Sequence, residues 1–152
     1  MKKKARILLA LVVAGLTLYV TNGFSVPAIE KDYICPIGKE KFRSIDYSPQ
    51  CPTNKFVMFK NEFTKEELEK YKKIINSKEY KAIPKNLPKE YYLGRFYEMA
   101  GGFSDKEIGE TYYKAYRAQI NWNFENTNTL KESLEKGISY LEKSLPMENK
   151  SE

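Results

Sequence analysis

The chain has no histidine, only two cysteines and a single tryptophan among its 152 residues. Without histidine, neither a Ser-His-Asp triad nor a Cys-His pair of the usual kind can be assembled. A structural zinc ion takes four thiolate or imidazole ligands, and this chain supplies only two residues of those types. Its cysteines also lack the C-x-x-C spacing of thioredoxin-like exchange. We therefore predict no metal site, no cofactor and no enzymatic activity.

Paired carboxylates are the remaining catalytic option. Glu107 with Glu110, or Glu98 with Asp105, would suit glycoside hydrolysis if the two members of a pair faced one another. Asp105 and Glu107 lie one and three positions after Ser104, however, and acidic residues in the first turn stabilise a helix N-terminus. We therefore expect these carboxylates to cap helices or to be solvated.

The N-terminus has the layout of an export signal. Four basic residues lie within positions 2–6, and an uncharged, mostly apolar run follows at 7–20. A run of this length suits a signal peptide better than a membrane span of about 20 residues. Cleavage is expected after Ser25 or Ala28, and we assign residues 1–28 to the signal peptide. The alternative is an uncleaved anchor, the only membrane attachment we predict. Both place the remainder outside the cytoplasm: in the periplasm, on the cell surface or secreted.

Export changes how the net charge of +6 is interpreted. Residues 1–28 contain four of the basic residues and no acidic one, which leaves 22 basic and 20 acidic residues beyond them. The remaining lysines alternate with glutamates, as in 65–70, which is typical of a solvated helix face. No basic stripe is left to bind phosphates, so we exclude a nucleic-acid partner.

Residues 29–146 are predicted to form one domain, because a chain of this length supports a single hydrophobic core. Its first part, 29–60, holds both cysteines and three prolines, and its second part, 63–146, has helical periodicity. The polar tail, 147–152, is expected to be disordered. The first part is predicted to contain three short β-segments, at 32–34, 41–45 and 56–59.

Three capping boxes predict helix starts in the second part. In this motif a Ser or Thr caps the helix, and an acidic residue three positions later bonds back to it. The boxes begin at Thr64, Ser104 and Thr129, and Pro88 suits the first turn of a further helix. From Ser104 we expect a buried stripe of Ile108, Tyr112, Ala115, Gln119 and Trp122. From Thr129 we expect a buried stripe of Leu130, Leu134, Ile138, Leu141 and Leu145.

The two cysteines open similar turns, Cys35-Pro-Ile-Gly38 and Cys51-Pro-Thr-Asn54, each a C-P-x-C knuckle without its second cysteine. With the segments 63–68 and 92–97, they resemble an uncharacterised bacterial family in which a CPxCG…CPxCG zinc ribbon precedes tetratricopeptide-like helices. The resemblance implies a mainly α (α+β) fold, in which a small β-ribbon packs on a tetratricopeptide-like bundle of about four helices. It also implies a degenerate ribbon, because two metal ligands are missing.

The same resemblance implies that the two cysteines lie close together, since these positions face each other across the ion in a zinc ribbon. A disulfide requires Cα atoms about 4.4–6.8 Å apart, and two cysteines in a small exported domain usually pair. We therefore predict a disulfide between Cys35 and Cys51. Two reduced, buried thiols and an intermolecular bridge are the alternatives.

The helical part is rich in tyrosine, tryptophan and arginine, which often anchor protein interfaces. The competing explanation is packing between helices, where an aromatic stripe at helical spacing usually lies. The candidate partner-binding residues are Tyr91, Tyr92, Arg95, Tyr113, Tyr116, Arg117 and Trp122. Our hypothesis is an exported, non-enzymatic helical module that binds an unidentified protein or cell-envelope component. The alternative is a zinc- or redox-linked exported protein that uses Cys35 and Cys51.

Overall fold

The computed structural model of the chain describes residues 29–122 and 127–146, and the predicted signal peptide and tail lie outside the described residues. The described part is mainly helical, with a small antiparallel sheet of two strands, as predicted. Five helices are present in this part, because a single turn of helix occupies the predicted turn at 78–82. The elements are β1 (Lys31–Ile34), β2 (Lys41–Ser44), α1 (Lys65–Ile75), α2 (Lys78–Lys81), α3 (Lys89–Ala100), α4 (Asp105–Asn121) and α5 (Thr127–Ser144).

The two cysteine turns have the same backbone geometry. The N–H of each cysteine donates to the carbonyl five residues later, at 2.8 Å in both turns. Lys39 and Lys55, each four residues after a cysteine, have left-handed φ angles of 61° and 60°. Each donates its N–H back to the carbonyl of its cysteine. The turns are therefore structural repeats of one another, in agreement with their similar sequences.

A disulfide joins Cys35 to Cys51, whose Cα atoms are 5.7 Å apart, and confirms the predicted pairing. Both residues are fully buried. Beside them, Asn54 Nδ2 donates to the carbonyl of Ile37 at 2.6 Å. A Cβ added to Gly38 would lie 3.6 Å from that same amide nitrogen. Gly38 and Asn54, which stand where a zinc ribbon has its second cysteines, are therefore adjacent. The Asn54 amide joins the two turns there through its hydrogen bond to Ile37.

The prediction of a strand at 56–59 is wrong. The only ladder pairing in this stretch is an isolated bridge between Gln50 and Val57. Phe56 instead directs its ring into an aromatic cluster, 5.5 Å between centroids from Phe96 of α3. Tyr71 of α1 contacts the same Phe96 ring at 4.9 Å. This aromatic cluster of Phe56, Tyr71 and Phe96 holds the ribbon against the helices. Segment 56–59 is therefore fixed by burial of the Phe56 ring and not by pairing with another strand.

Short sequence motifs mark the ends of three helices. Thr64 and Ser104 form complete capping boxes at the starts of α1 and α4, as predicted. Gly101, with a φ of 64°, ends α3. Pro88 is the N-cap residue of α3 and does not lie within its first turn, a shift of one position from the prediction.

The third predicted capping box is wrong, because Thr129 lies inside α5 and is buried. Its hydroxyl donates to Gln119 Oε1 of α4 at 2.9 Å. Gln119 Nε2 in turn donates to Ser133 Oγ at 2.8 Å. Thr129 therefore belongs to a buried polar chain that joins α4 to α5.

The predicted apolar stripe is also not the buried face of α5. Its buried residues are Thr129, Ser133 and Gly137, one residue out of phase with the stripe. Small side chains at every fourth position let α5 approach α4 closely, and a Cβ on Gly137 would lie 3.3 Å from the Tyr113 nitrogen. The predicted stripe is half-buried at Leu130, Leu134 and Leu141 and exposed at Ile138 and Leu145.

We predict that Gly109→Ala destabilises the protein. A Cβ at this position of α4 would lie 2.8 Å from Leu141 Cγ and 2.9 Å from the Leu141 backbone nitrogen, which cannot rotate away. Overpacking of this kind costs about 1–3 kcal/mol, against the gain of roughly 0.5–1 kcal/mol expected from alanine in a helix. Urea unfolding should show a net loss, whereas the exposed neighbour Glu110→Ala should change little. A stabilised Gly109→Ala variant would contradict this packing.

We also predict a large stability loss when Cys35 and Cys51 are both replaced by serine. The bond joins residues 16 positions apart, and closing a loop of about 15 residues contributes about 3 kcal/mol by the chain-entropy estimate. Chemical denaturation should show a loss of that size. As a control, reduction of the unfolded wild-type chain should add two hydrogen atoms to its intact mass. Equal stability of the variant and the oxidised protein would contradict the expectation.

Candidate functional site

A groove of about 600 Å³ lies between the cysteine ribbon and the ends of two helices; we call it the ribbon–helix groove. One wall is β2 with the loop that follows it. The opposite wall comprises the start of α3 and the residue that ends α4. Its lining residues are Phe42, Arg43, Ser44, Ile45, Asp46, Gln50, Pro52, Pro88, Lys89, Glu90 and Trp122.

Lys89 ties the two walls together. Its ammonium lies 3.1 Å from the Asp46 carboxylate and donates to the Ser48 carbonyl at 3.2 Å. Next to this contact, Pro49 is fully buried, and its carbonyl accepts the N–H of Met58 at 2.9 Å. The groove is therefore bounded by connected, packed segments.

Trp122, the only tryptophan of the chain, is 77% exposed at the groove. It is the C-cap residue of α4, where its backbone N–H donates to the carbonyl of Ala118. The prediction that Trp122 continues the buried stripe is wrong, because the stripe ends at Gln119, a full turn earlier. In the described ranges, 29–122 and 127–146, its indole has no hydrogen-bond or aromatic partner.

The charges of the groove are largely neutralised by internal pairs. The Arg43 guanidinium lies 3.2 Å from Glu30 and 3.4 Å from Asp32, and Lys89 is paired with Asp46. Glu90, in the first turn of α3, forms no ion pair or side-chain hydrogen bond with any other described residue. The groove therefore retains one uncompensated negative charge. Sequence reasoning missed Glu90, because no local pattern distinguishes it from the other surface glutamates.

Two of the predicted partner-binding residues belong to the core. Tyr91 and Tyr92 are almost completely buried. The Tyr91 hydroxyl donates to Glu132 at 2.7 Å, and the Tyr92 hydroxyl donates to the carbonyl of Pro84 at 3.1 Å. Their burial contradicts the prediction that they contact a partner, and the competing explanation, packing between helices with the hydroxyl groups hydrogen-bonded, accounts for both.

Three other predicted residues lie within two turns of α4. Tyr113 and Arg117 are exposed and Tyr116 is half-buried. The rings of Tyr113 and Tyr116 stack with centroids 6.4 Å apart. These residues form a second candidate surface, separate from the ribbon–helix groove, which none of them lines.

Arg95, the remaining predicted residue, belongs to a cluster of charges centred on Glu98. Arg95 lies 2.6 Å from Glu79 and 3.1 Å from Glu98. The Glu98 carboxylate also accepts hydrogen bonds from Lys136 at 2.7 Å, Tyr112 at 2.6 Å and Tyr140 at 3.0 Å. The cluster joins α3, α4 and α5.

The environment of Glu98 keeps it ionised. Burial alone would raise its pKa, but the hydrogen bonds from Lys136, Tyr112 and Tyr140 and the charge of Lys136 lower the pKa below its ordinary value of 4.5. The pKa of Tyr112 is raised, first by burial and then by its bond to Glu98. A carboxylate saturated by donors is poorly suited to exchanging protons near neutral pH. Glu107, another of the candidate carboxylates, is occupied by the Ser104 capping box.

Comparisons with protein-family models, curated proteins and solved structures return no match to this chain. Its tetratricopeptide-like character therefore stays a prediction. The described part of the chain contains no group of three or more Cys, Asp or Glu side chains arranged to hold a metal ion. Nor does it contain a helix with the length and hydropathy needed to cross a membrane.

Glu98 gives the protein a predictable response to acid. Its folded-state pKa is lowered, so its contribution to stability is present above the unfolded pKa and is lost as pH falls below about 4.5. Glu98→Gln removes the carboxylate that accepts from Lys136, Tyr112 and Tyr140. Because Arg95 keeps Glu79 and Lys136 keeps Glu132 as partners, the loss at pH 7 should be that of hydrogen bonds to a charged group, about 1.5–3 kcal/mol. Thermal melting across pH 3–7 should show a weaker acid dependence in this variant. Glu135→Gln, which removes an exposed pair, should match wild type, and equal acid profiles for all three proteins would disprove the role of Glu98.

Proposed function

We propose that the protein is an exported, non-enzymatic helical module that binds another protein or a cell-envelope component through the ribbon–helix groove. The observation that carries this proposal is the exposed Trp122 at a groove of about 600 Å³. Tryptophan is among the residues most enriched in binding hot spots. A large apolar ring held in water, with no internal partner in the described ranges, favours a binding role over a packing role.

Export is supported by two independent features. The basic and apolar pattern of residues 1–28 is typical of a signal peptide. The disulfide between Cys35 and Cys51 adds support, because such bonds persist mainly in oxidising compartments. Recovery of the native protein outside the cytoplasm without residues 1–25 or 1–28 would test this part of the proposal.

A zinc- or redox-linked role is less well supported. The two cysteine sulfurs are bonded to each other and fully buried, whereas catalytic and sensor thiols are accessible thiolates. Asn54, one of the residues in place of the missing ligands, already donates to Ile37. These contacts are those of a structural bridge.

Affinity capture tests the binding role. The protein beginning at Ile29 is immobilised and exposed to an envelope extract of the native cell, and the captured components are identified by mass spectrometry. We expect a reproducible component that is lost with Trp122→Ala, because this change removes the exposed ring from the groove.

Tyr113→Ala is the matched control, since it removes another exposed aromatic ring that lies outside the groove. Loss of capture with Tyr113→Ala but not with Trp122→Ala would move the site to the surface of Tyr113, Tyr116 and Arg117. Identical capture by both variants and wild type would contradict binding through either surface. Circular dichroism of each variant confirms that the fold is intact.

A further inference from the structure

We infer that the ribbon–helix groove binds an extended peptide segment carrying a lysine or arginine side chain, a conclusion that rests on the proposed binding function and specifies its partner. The segment would lie along the open edge of β2, with its cationic group beside Glu90 and Trp122. Three features of the groove carry the inference: a free strand edge, an uncompensated carboxylate and an exposed indole.

The lining of the groove indicates that it runs along a strand edge. Three consecutive residues of β2, 42–44, line it, and residues 45 and 46 of the following loop continue the wall. Side chains alternate between the two faces of a strand, so a single face cannot present all three strand residues. In the described part of the chain β2 pairs only with β1, which leaves the backbone groups on its other edge without a strand partner. An extended peptide can add to such an edge by main-chain hydrogen bonds.

The charge of the groove selects the side chain that the peptide should carry. Arg43 and Lys89 already have carboxylate partners, whereas Glu90 has none among the described residues. Among the described residues that line the groove, an acidic ligand would therefore find no unpaired cation, and a basic one would find a free carboxylate. Trp122 lines the same groove, and the face of an indole attracts ammonium and guanidinium groups.

Trp122 also provides a way to measure peptide binding to the groove. As the only tryptophan, it reports occupation of the groove through its fluorescence. The probe is an acetylated and amidated Val-Lys-Val-Lys-Val peptide, compared with Val-Glu-Val-Glu-Val. A third peptide has the lysine sequence with methylated backbone nitrogens, which cannot pair with a strand edge.

We expect a saturable fluorescence change with the lysine peptide and none with the other two. Glu90→Gln should weaken binding about tenfold, because a hydrogen bond to a charged group is lost. Glu90→Lys should reverse the preference towards the glutamate peptide. Glu69→Gln, an exposed glutamate of α1 outside the groove, should bind as wild type does.

Equal affinity for the lysine and glutamate peptides, or unchanged affinity in Glu90→Gln, would overturn the charge selection. Equal binding of the methylated peptide would overturn the pairing with β2. If no peptide binds but Trp122→Ala still abolishes capture of an envelope component such as a glycan, the partner class is wrong and the binding function stands. If both assays fail, both proposals fall.

Discussion

The burial of Phe56 between the cysteine ribbon and the helices is the contact on which the rest of the structure depends. Its carbonyl accepts the N–H of Cys51 at 2.8 Å, and its own N–H donates to Asn54 at 2.9 Å. Its ring meets Phe63 before α1, Tyr71 in α1 and Phe96 in α3. One residue thus completes a ribbon turn through its backbone and enters the helical core through its side chain. A ribbon too small for a core of its own thereby acquires a fixed position against the bundle.

The groove follows from that fixed position. Because the disulfide holds the two cysteine turns together and Phe56 holds one of them on α3, the loop after β2 lies beside the start of α3. The contact of Lys89 with Asp46 then ties loop to helix. The open space that remains is the ribbon–helix groove. The disulfide and the aromatic cluster therefore contribute to the candidate site, because they position one of its walls.

Features encoded over a few residues could be predicted, and those decided by helix–helix packing could not. The capping boxes at Thr64 and Ser104 are complete because cap and partner are three residues apart. Thr129 has the same local pattern, but it lies inside α5 and its hydroxyl donates a hydrogen bond to Gln119 of α4. The stripe of α5 has the predicted period but the wrong phase, because small residues such as Gly137 permit the closest approach to α4. Hydrophobicity alone does not encode that preference.

The candidate site was hardest to predict because binding capacity depends on what the fold leaves unpartnered. Residue type alone predicts partner binding equally for Tyr91 and Trp122, yet Tyr91 is buried in the core and Trp122 is exposed. Two carboxylates of α3 show the same contrast. Glu98 accepts hydrogen bonds from Arg95, Lys136, Tyr112 and Tyr140, which leaves it little capacity for a ligand. Glu90, two turns earlier on the same helix, has no such partner in the described ranges. Their chemistry is identical and their environments are not, so under the proposed binding function the unpaired carboxylate is the one that would select a partner.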